Sequence, residues 1–172
     1  NHHDNFDNFQ STYQPWNSVR IGPRKDVVGL WAAAARAHGL RFGVSVHAWQ
    51  AWNYYAPARG CDREGSMAGV PYDGRLTRAQ GRGQWWEGLD PQDLYAQNHA
   101  PNAPESRAYT LRFCLRVKNL VDAYRPDLLY FDNYDRSAYG GSWMLKVIAH
   151  YYNRGMRNGR CDVVFTRKHI PA

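Results

Sequence analysis

No stretch of about 18 apolar residues occurs in this 172-residue chain, so no segment reads as a membrane-spanning helix. Cysteine is scarce. Cys61, Cys114 and Cys161 stand far apart with no CxxC pair, which excludes zinc-finger spacing and a disulfide scaffold. At most one disulfide can form, and Cys114, set in a helical apolar pattern, reads as a buried free thiol. Runs of like charge are also missing, although the formal net charge is +7. Arg20, Arg24, Lys25, Arg78, Arg82, Arg116 and Lys118 are scattered, so the basic excess reads as a solvated surface and not as a nucleic-acid interface. No secretory signal lies within these residues; a secreted or periplasmic location is the expectation.

What is abundant is aromatic. Seven Trp and twelve Tyr are more than a core of this size requires, and such rings also line clefts for polar ligands. A hydrophobic content of 44% in 172 residues suits one domain with one sizeable core.

Helix and strand patterns alternate. In "GPRKDVVGLWAAAARAHGLRFGVSVH", Pro23 suits a first-turn position and Asp26 the positive helix start. Val27, Leu30, Trp31, Ala34 and Ala35 recur at helical spacing, Gly39 ends the helix, and "LRFGVSV" reads as a buried strand. The order returns in "ESRAYTLRFCLRVKNLVDAYRPDLLYFDN". Glu105 is placed in the first turn; Cys114, Val117, Leu120, Val121 and Tyr124 keep a 3.6-residue period; Pro126 stops the helix before the strand "DLLYFD". A third helix, Trp143 to Met156, precedes Gly159 and the strand "CDVVFT". This alternation predicts parallel βαβ units, in a barrel or a doubly wound sheet. The long connection from Ala48 to Pro104 follows a strand's carboxyl end, where parallel α/β folds bind ligands.

Side chains alternate along a strand, so Leu128, Tyr130 and Asp132 share one face, with Leu129 and Phe131 on the other. Asp132 is either a carboxylate in use or a turn residue. Gly43, Ser45 and His47 likewise share a face pointing inward, while Phe42, Val44 and Val46 pack beneath helices. His47 reads as structural or as part of a site at the strand's mouth. Trp49 and Trp52 suggest a rim on which apolar sugar faces stack. His2 and His3 are adjacent and point to opposite sides of an extended chain, and no HExxH appears, so no metal site is expected.

"NHHDNF" is followed by a Tyr, a Trp-Asn pair, Gly-Pro, a basic residue and Asp, an Ala-rich helix, Gly-Leu-x-Phe-Gly, and later Pro-Asp-x-x-x-x-Asp. In this order and spacing the chain resembles the α-L-fucosidases of glycoside hydrolase family 29, well over about the first 55 residues and over residues 105–135. The resemblance implies an α/β fold, part of a (β/α)8 TIM-like barrel, and retaining exo-hydrolysis of terminal α-L-fucose by double displacement. It implies that Asp132 is the nucleophile, that His2 and His3 bind fucose hydroxyls, that Tyr130 occupies an aromatic subsite, and that His47 and Trp49 line the pocket. No cofactor and no metal are implied, and the partners are fucosylated glycans.

A retaining glycosidase needs a second carboxyl about 5–5.5 Å from the first. In the family the acid/base follows the nucleophile. Here Glu64, Glu87 and Glu105 all precede Asp132, and only Asp135 and Asp162 follow it. A full barrel takes about 250 residues. The expectation is therefore that residues 1–172 are part of a single catalytic barrel domain, truncated at both ends, and inactive alone. A catalytically inactive fucose-binding barrel and a retaining glycosidase of another specificity, such as a galactosidase, are the rival readings.

Overall fold

A computed structural model describes residues 4–47, 50–54, 64–66, 68, 76–95, 99–100, 102–132 and 142–168. In chain order the elements are α1 (Val27–Ala37), β1 (Gly43–Val46), α2 (Ala51–Tyr54), a 3-10 turn (Arg78–Gly81), α3 (Pro91–Tyr95), α4 (Arg107–Tyr124), β2 (Leu128–Phe131), α5 (Ser142–Arg157) and β3 (Val164–Arg167). The strands form a parallel sheet in the order β1-β2-β3, with Ser45 opposite Tyr130 and Tyr130 opposite Thr166.

Local chemistry sets the helix ends. The Asp26 carboxylate caps α1, accepting from Gly29 N at 3.0 Å, and also accepts from the Tyr124 hydroxyl at 2.8 Å, which ties α1 to α4. Helix α1 ends at His38, and Gly39 follows with φ +66°, a left-handed position where glycine has no Cβ to strain. Pro23 lies outside the helix, because the aspartate cap three residues later sets its start. Ser106 caps α4 through Tyr109 N, so Glu105 precedes the cap instead of sitting in the first turn. Arg125 closes α4 in the left-handed conformation, and Pro126 follows, which cannot extend a helix.

The two crossover helices lie on the same side of the sheet. Leu129 and Phe131, both fully buried, meet Phe113, Cys114, Val117 and Val121 from α4 and Val147 and Tyr151 from α5. Burying a Leu or Phe this completely stabilises by about 1.5–3 kcal/mol each. Cys114 is a buried free thiol, as its helical position predicts.

Helix α1 departs from its pattern. Leu30 and Trp31 are exposed, and the packed positions are Val28 and Ala32, against Phe9, Leu120 and Tyr124. The apolar spacing was compatible with either stripe; contact with α4 selects the narrower one, where small Ala32 allows close approach. Trp31 instead borders an apolar hollow of about 430 Å³ beside β1, shared with Val27, Val28, Phe42 and Val44.

The long connection shares a second core with the early chain. Trp16, Trp86, Leu89 and Leu94 form a buried cluster with Phe6, Ile21 and Leu76 against it. Gly81 touches the Trp86 ring so closely that a Cβ would lie 2.6 Å from it. The connection is thus pinned to the chain following "NHHD", since the Trp16 indole donates to Asp90 O at 2.7 Å.

Candidate active site

Parallel pairing aligns the carboxyl ends of the three strands. The ladder runs on past the strands: Asp132 N donates to Val46 O at 3.3 Å, and Lys168 N to Phe131 O at 3.0 Å. His47, Asp132 and Lys168 therefore stand in a row, one at each strand end, on the face opposite α4 and α5.

Their side chains converge on the Asp132 carboxylate. The Tyr130 hydroxyl donates to Oδ1 at 2.9 Å, and the Lys168 ammonium lies 3.1 Å from the same oxygen. His47 Nδ1 lies 3.3 Å from Oδ2, a looser contact than the other two. The far nitrogen of that ring, Nε2, shares a 2.8 Å hydrogen bond with Ser45 Oγ, which orients the ring. The Tyr130 hydrogen bond, reinforced by Lys168 and His47, holds the Asp132 carboxyl below the usual carboxylate range. The same hydrogen bond pushes the Tyr130 phenol up, because ionising it would place two anions together. The result is an ionised carboxylate held at a strand end, its side chain 21% exposed.

The structure thus brings together three sequence-predicted residues, Asp132, Tyr130 and His47. Tyr130 serves as a hydrogen-bond donor to the carboxylate as well as an aromatic neighbour. His2, His3, Trp49 and Asp135 lie outside the described residues. Trp52 does not present a rim for sugar stacking: it is buried, with His99 stacked on it at 3.9 Å and Tyr109 at 4.9 Å. Its indole N–H is taken by Ala103 O at 2.8 Å. Sequence reasoning missed Lys168 and the orienting role of Ser45. Lys168 lies two residues beyond Thr166, on the strand face that Thr166 shares with Tyr130 by register, so the signal was the alternation of a third strand whose register was unknown.

A second carboxylate, Asp7, holds the segment after "NHHD". It is fully buried and receives a two-pronged contact from Arg116 of α4, Nε to Oδ2 at 3.0 Å and Nη2 to Oδ1 at 2.6 Å. Arg116 also donates to the Asn5 side chain and to Asn5 O, and Gln14 donates to Asn5 O at 2.7 Å. Asn5 takes the left-handed conformation, φ 58°, under these bonds. Arg116 is therefore a buried anchor and not one of the solvated surface cations.

The family model of α-L-fucosidase matches residues 1–169 of the chain. The chain belongs to the α-L-fucosidase family. Among solved structures, a Thermotoga maritima α-fucosidase in complex with fucose is similar at 26% identity and a TM-score of 0.50, over 89% of this chain and 28% of that one. A T. maritima α-L-fucosynthase, in complex with α-L-Fuc-(1-2)-β-L-Fuc-N3, is similar at 29% identity and a TM-score of 0.51, over 91% of this chain and 28% of that one. A further T. maritima α-fucosidase structure gives 27% identity and a TM-score of 0.51 over 89% of this chain. The chain thus spans little more than a quarter of the length of these solved relatives. No curated protein matches it. In the fucosidase-family chain the mixed α/β fold and the parallel three-stranded sheet carry the row of strand-end side chains described above.

Proposed function

We propose that this chain is part of the catalytic barrel of a retaining exo-α-L-fucosidase that removes terminal fucose from glycans by double displacement. The observation that carries this reading is the Asp132 carboxylate, ionised and clasped by Tyr130, Lys168 and His47 at the carboxyl end of β2. Parallel α/β barrels seat their chemistry at those strand ends. Successive strands lying side by side, with both crossover helices on one face, are the repeat from which such a barrel is built.

In the first step Asp132 attacks the anomeric carbon of fucose and a second carboxyl protonates the departing oxygen. In the second, water replaces the carboxylate. His2 and His3 bind fucose hydroxyls, and Trp49 and His47 line the pocket. The acid/base is proposed to come from a carboxyl of the full-length protein beyond the described residues. The segment alone is then expected to be inactive on any fucoside.

The test replaces Asp132 with Gly in the full-length protein. Hydrolysis of nitrophenyl α-L-fucoside should collapse, and azide should restore turnover by acting as an external nucleophile, giving a fucosyl azide. Activity near that of the unaltered protein, or equal turnover of the corresponding galactoside, would remove this reading. Fucose binding without hydrolysis in the unaltered protein would favour a binding barrel instead.

A further inference from the structure

Both short donors to Asp132 fall on one of its two oxygens. Tyr130 Oη is 2.9 Å and Lys168 Nζ 3.1 Å from Oδ1, while Oδ2 has only the longer His47 contact among the described residues. A carboxylate oxygen has two in-plane lone pairs, and those of Oδ1 are engaged. Oδ2 is then the oxygen with density to offer an electrophile. If Oδ2 attacks, Oδ1 becomes the carbonyl oxygen of the resulting ester and keeps its two donors.

The asymmetry has opposite effects on the two chemical steps. In the first, a bond forms between Oδ2 and the anomeric carbon, the bond from that carbon to the aglycone oxygen breaks, and the acid/base carboxyl gives that oxygen its proton. Lys168 opposes this step, because the negative charge it faces is consumed. In the second, water adds its oxygen to the anomeric carbon and loses a proton to the acid/base carboxylate. The bond to Oδ2 breaks and its electron pair returns to Asp132. Lys168 assists this step, because the charge it pairs with is restored and its hydrogen bond to the ester carbonyl makes the carboxylate a better leaving group.

We infer that Lys168 is a catalytic residue of the second step, the group that expels Asp132 from the fucosyl-enzyme ester. This rests on the proposed role of Asp132. The position of Lys168 suits it: the side chain is 57% exposed and reaches the site from the end of β3, so it is free of the packing that a core residue would need.

The test uses Lys168→Met and Lys168→Arg in the full-length protein, with dinitrophenyl α-L-fucoside, whose good leaving group makes the second step limiting. For Lys168→Met, kcat should fall about 10- to 100-fold, as expected for loss of one charge-assisted hydrogen bond. KM should fall in parallel as the ester accumulates, leaving kcat/KM within about threefold. Lys168→Arg should restore most of kcat. A 2-fluoro-fucosyl ester, trapped and located by peptide mass, should release its sugar more slowly in Lys168→Met than in the unaltered protein. A kcat/KM that falls as far as kcat, with release of the trapped sugar unchanged, would overturn the inference. A trapped label on a residue other than Asp132 would instead overturn the proposed nucleophile, whatever Lys168 does.

Discussion

Among the carboxylates that meet cations, Asp7 and Asp132 are handled in opposite ways. Asp7 is sealed in the interior, both oxygens matched by the fork of Arg116, while Asn5 accepts a further Arg116 donor and Gln14 in turn donates to Asn5 O. Asp132 stands at a strand end, with two donors on one oxygen, a looser contact on the other, and solvent nearby. A buried, fully matched pair has one good arrangement and resists leaving it. A half-matched carboxylate at a mouth retains density that another molecule can take. The pairing of opposite charges does not distinguish structure from chemistry; the saturation of the lone pairs and access to the site do.

The largest expected effect separates the two sites outright. In the full-length protein, Asp132→Gly should lower fucoside turnover by several orders of magnitude, on the order of 10,000-fold, while leaving the denaturation midpoint close to that of the unaltered protein. Activity assay and urea unfolding on the same preparation check both halves. A large loss of stability in this variant would erase the contrast with Asp7.

Next comes the converse. Arg116→Met strands a buried anion and should destabilise by about 3–5 kcal/mol, read from the urea midpoint. The double variant Arg116→Met with Asp7→Leu should recover most of that loss, since neither charge is then buried alone. A double variant no more stable than the single would show that the Asn5 bonds, and not the ion pair, carry the anchor.

A smaller effect lies in pH. In the proposed reaction Asp132 must be ionised to attack, and the Tyr130 hydrogen bond is the first cause of its depressed pKa. Tyr130→Phe should move the acid limb of the kcat/KM profile to higher pH. The stability effect has a fixed sign. A carboxyl depressed in the folded state adds stability above its ordinary pKa, and that contribution fades as pH falls through the lowered value. Any destabilisation by Tyr130→Phe should therefore be present at neutral pH and vanish in acid. A destabilisation that persists in acid would assign Tyr130 to packing.

Much of the strand-end row is legible in the sequence. Alternation in "DLLYFD" puts Leu129 and Phe131 on one face and Tyr130 and Asp132 on the other, because a strand repeats every two residues whatever it packs against. The partners across the sheet were not legible. Lys168 reaches Asp132 only through the register between β2 and β3, and register is a long-range property. Arg116 was misread as solvated because a lone arginine in an amphipathic helix carries no local mark of burial; its partner Asp7 lies 109 residues earlier. Trp31 erred the other way, since helical periodicity names a face without saying that anything covers it.

The pinned connection has a spectroscopic consequence. Trp16, Trp52 and Trp86 are buried, and all three belong to the rim formed by the early chain and the long connection. Trp143, by contrast, is only partly buried where it packs on the helix–sheet core. The blue-shifted part of the indole emission is therefore dominated by the rim, while circular dichroism at 222 nm is dominated by α1, α4 and α5. Heating that red-shifts the fluorescence before the ellipticity changes would record the rim lifting from an intact scaffold, with the two signals serving as separate gauges for the two halves of the molecule.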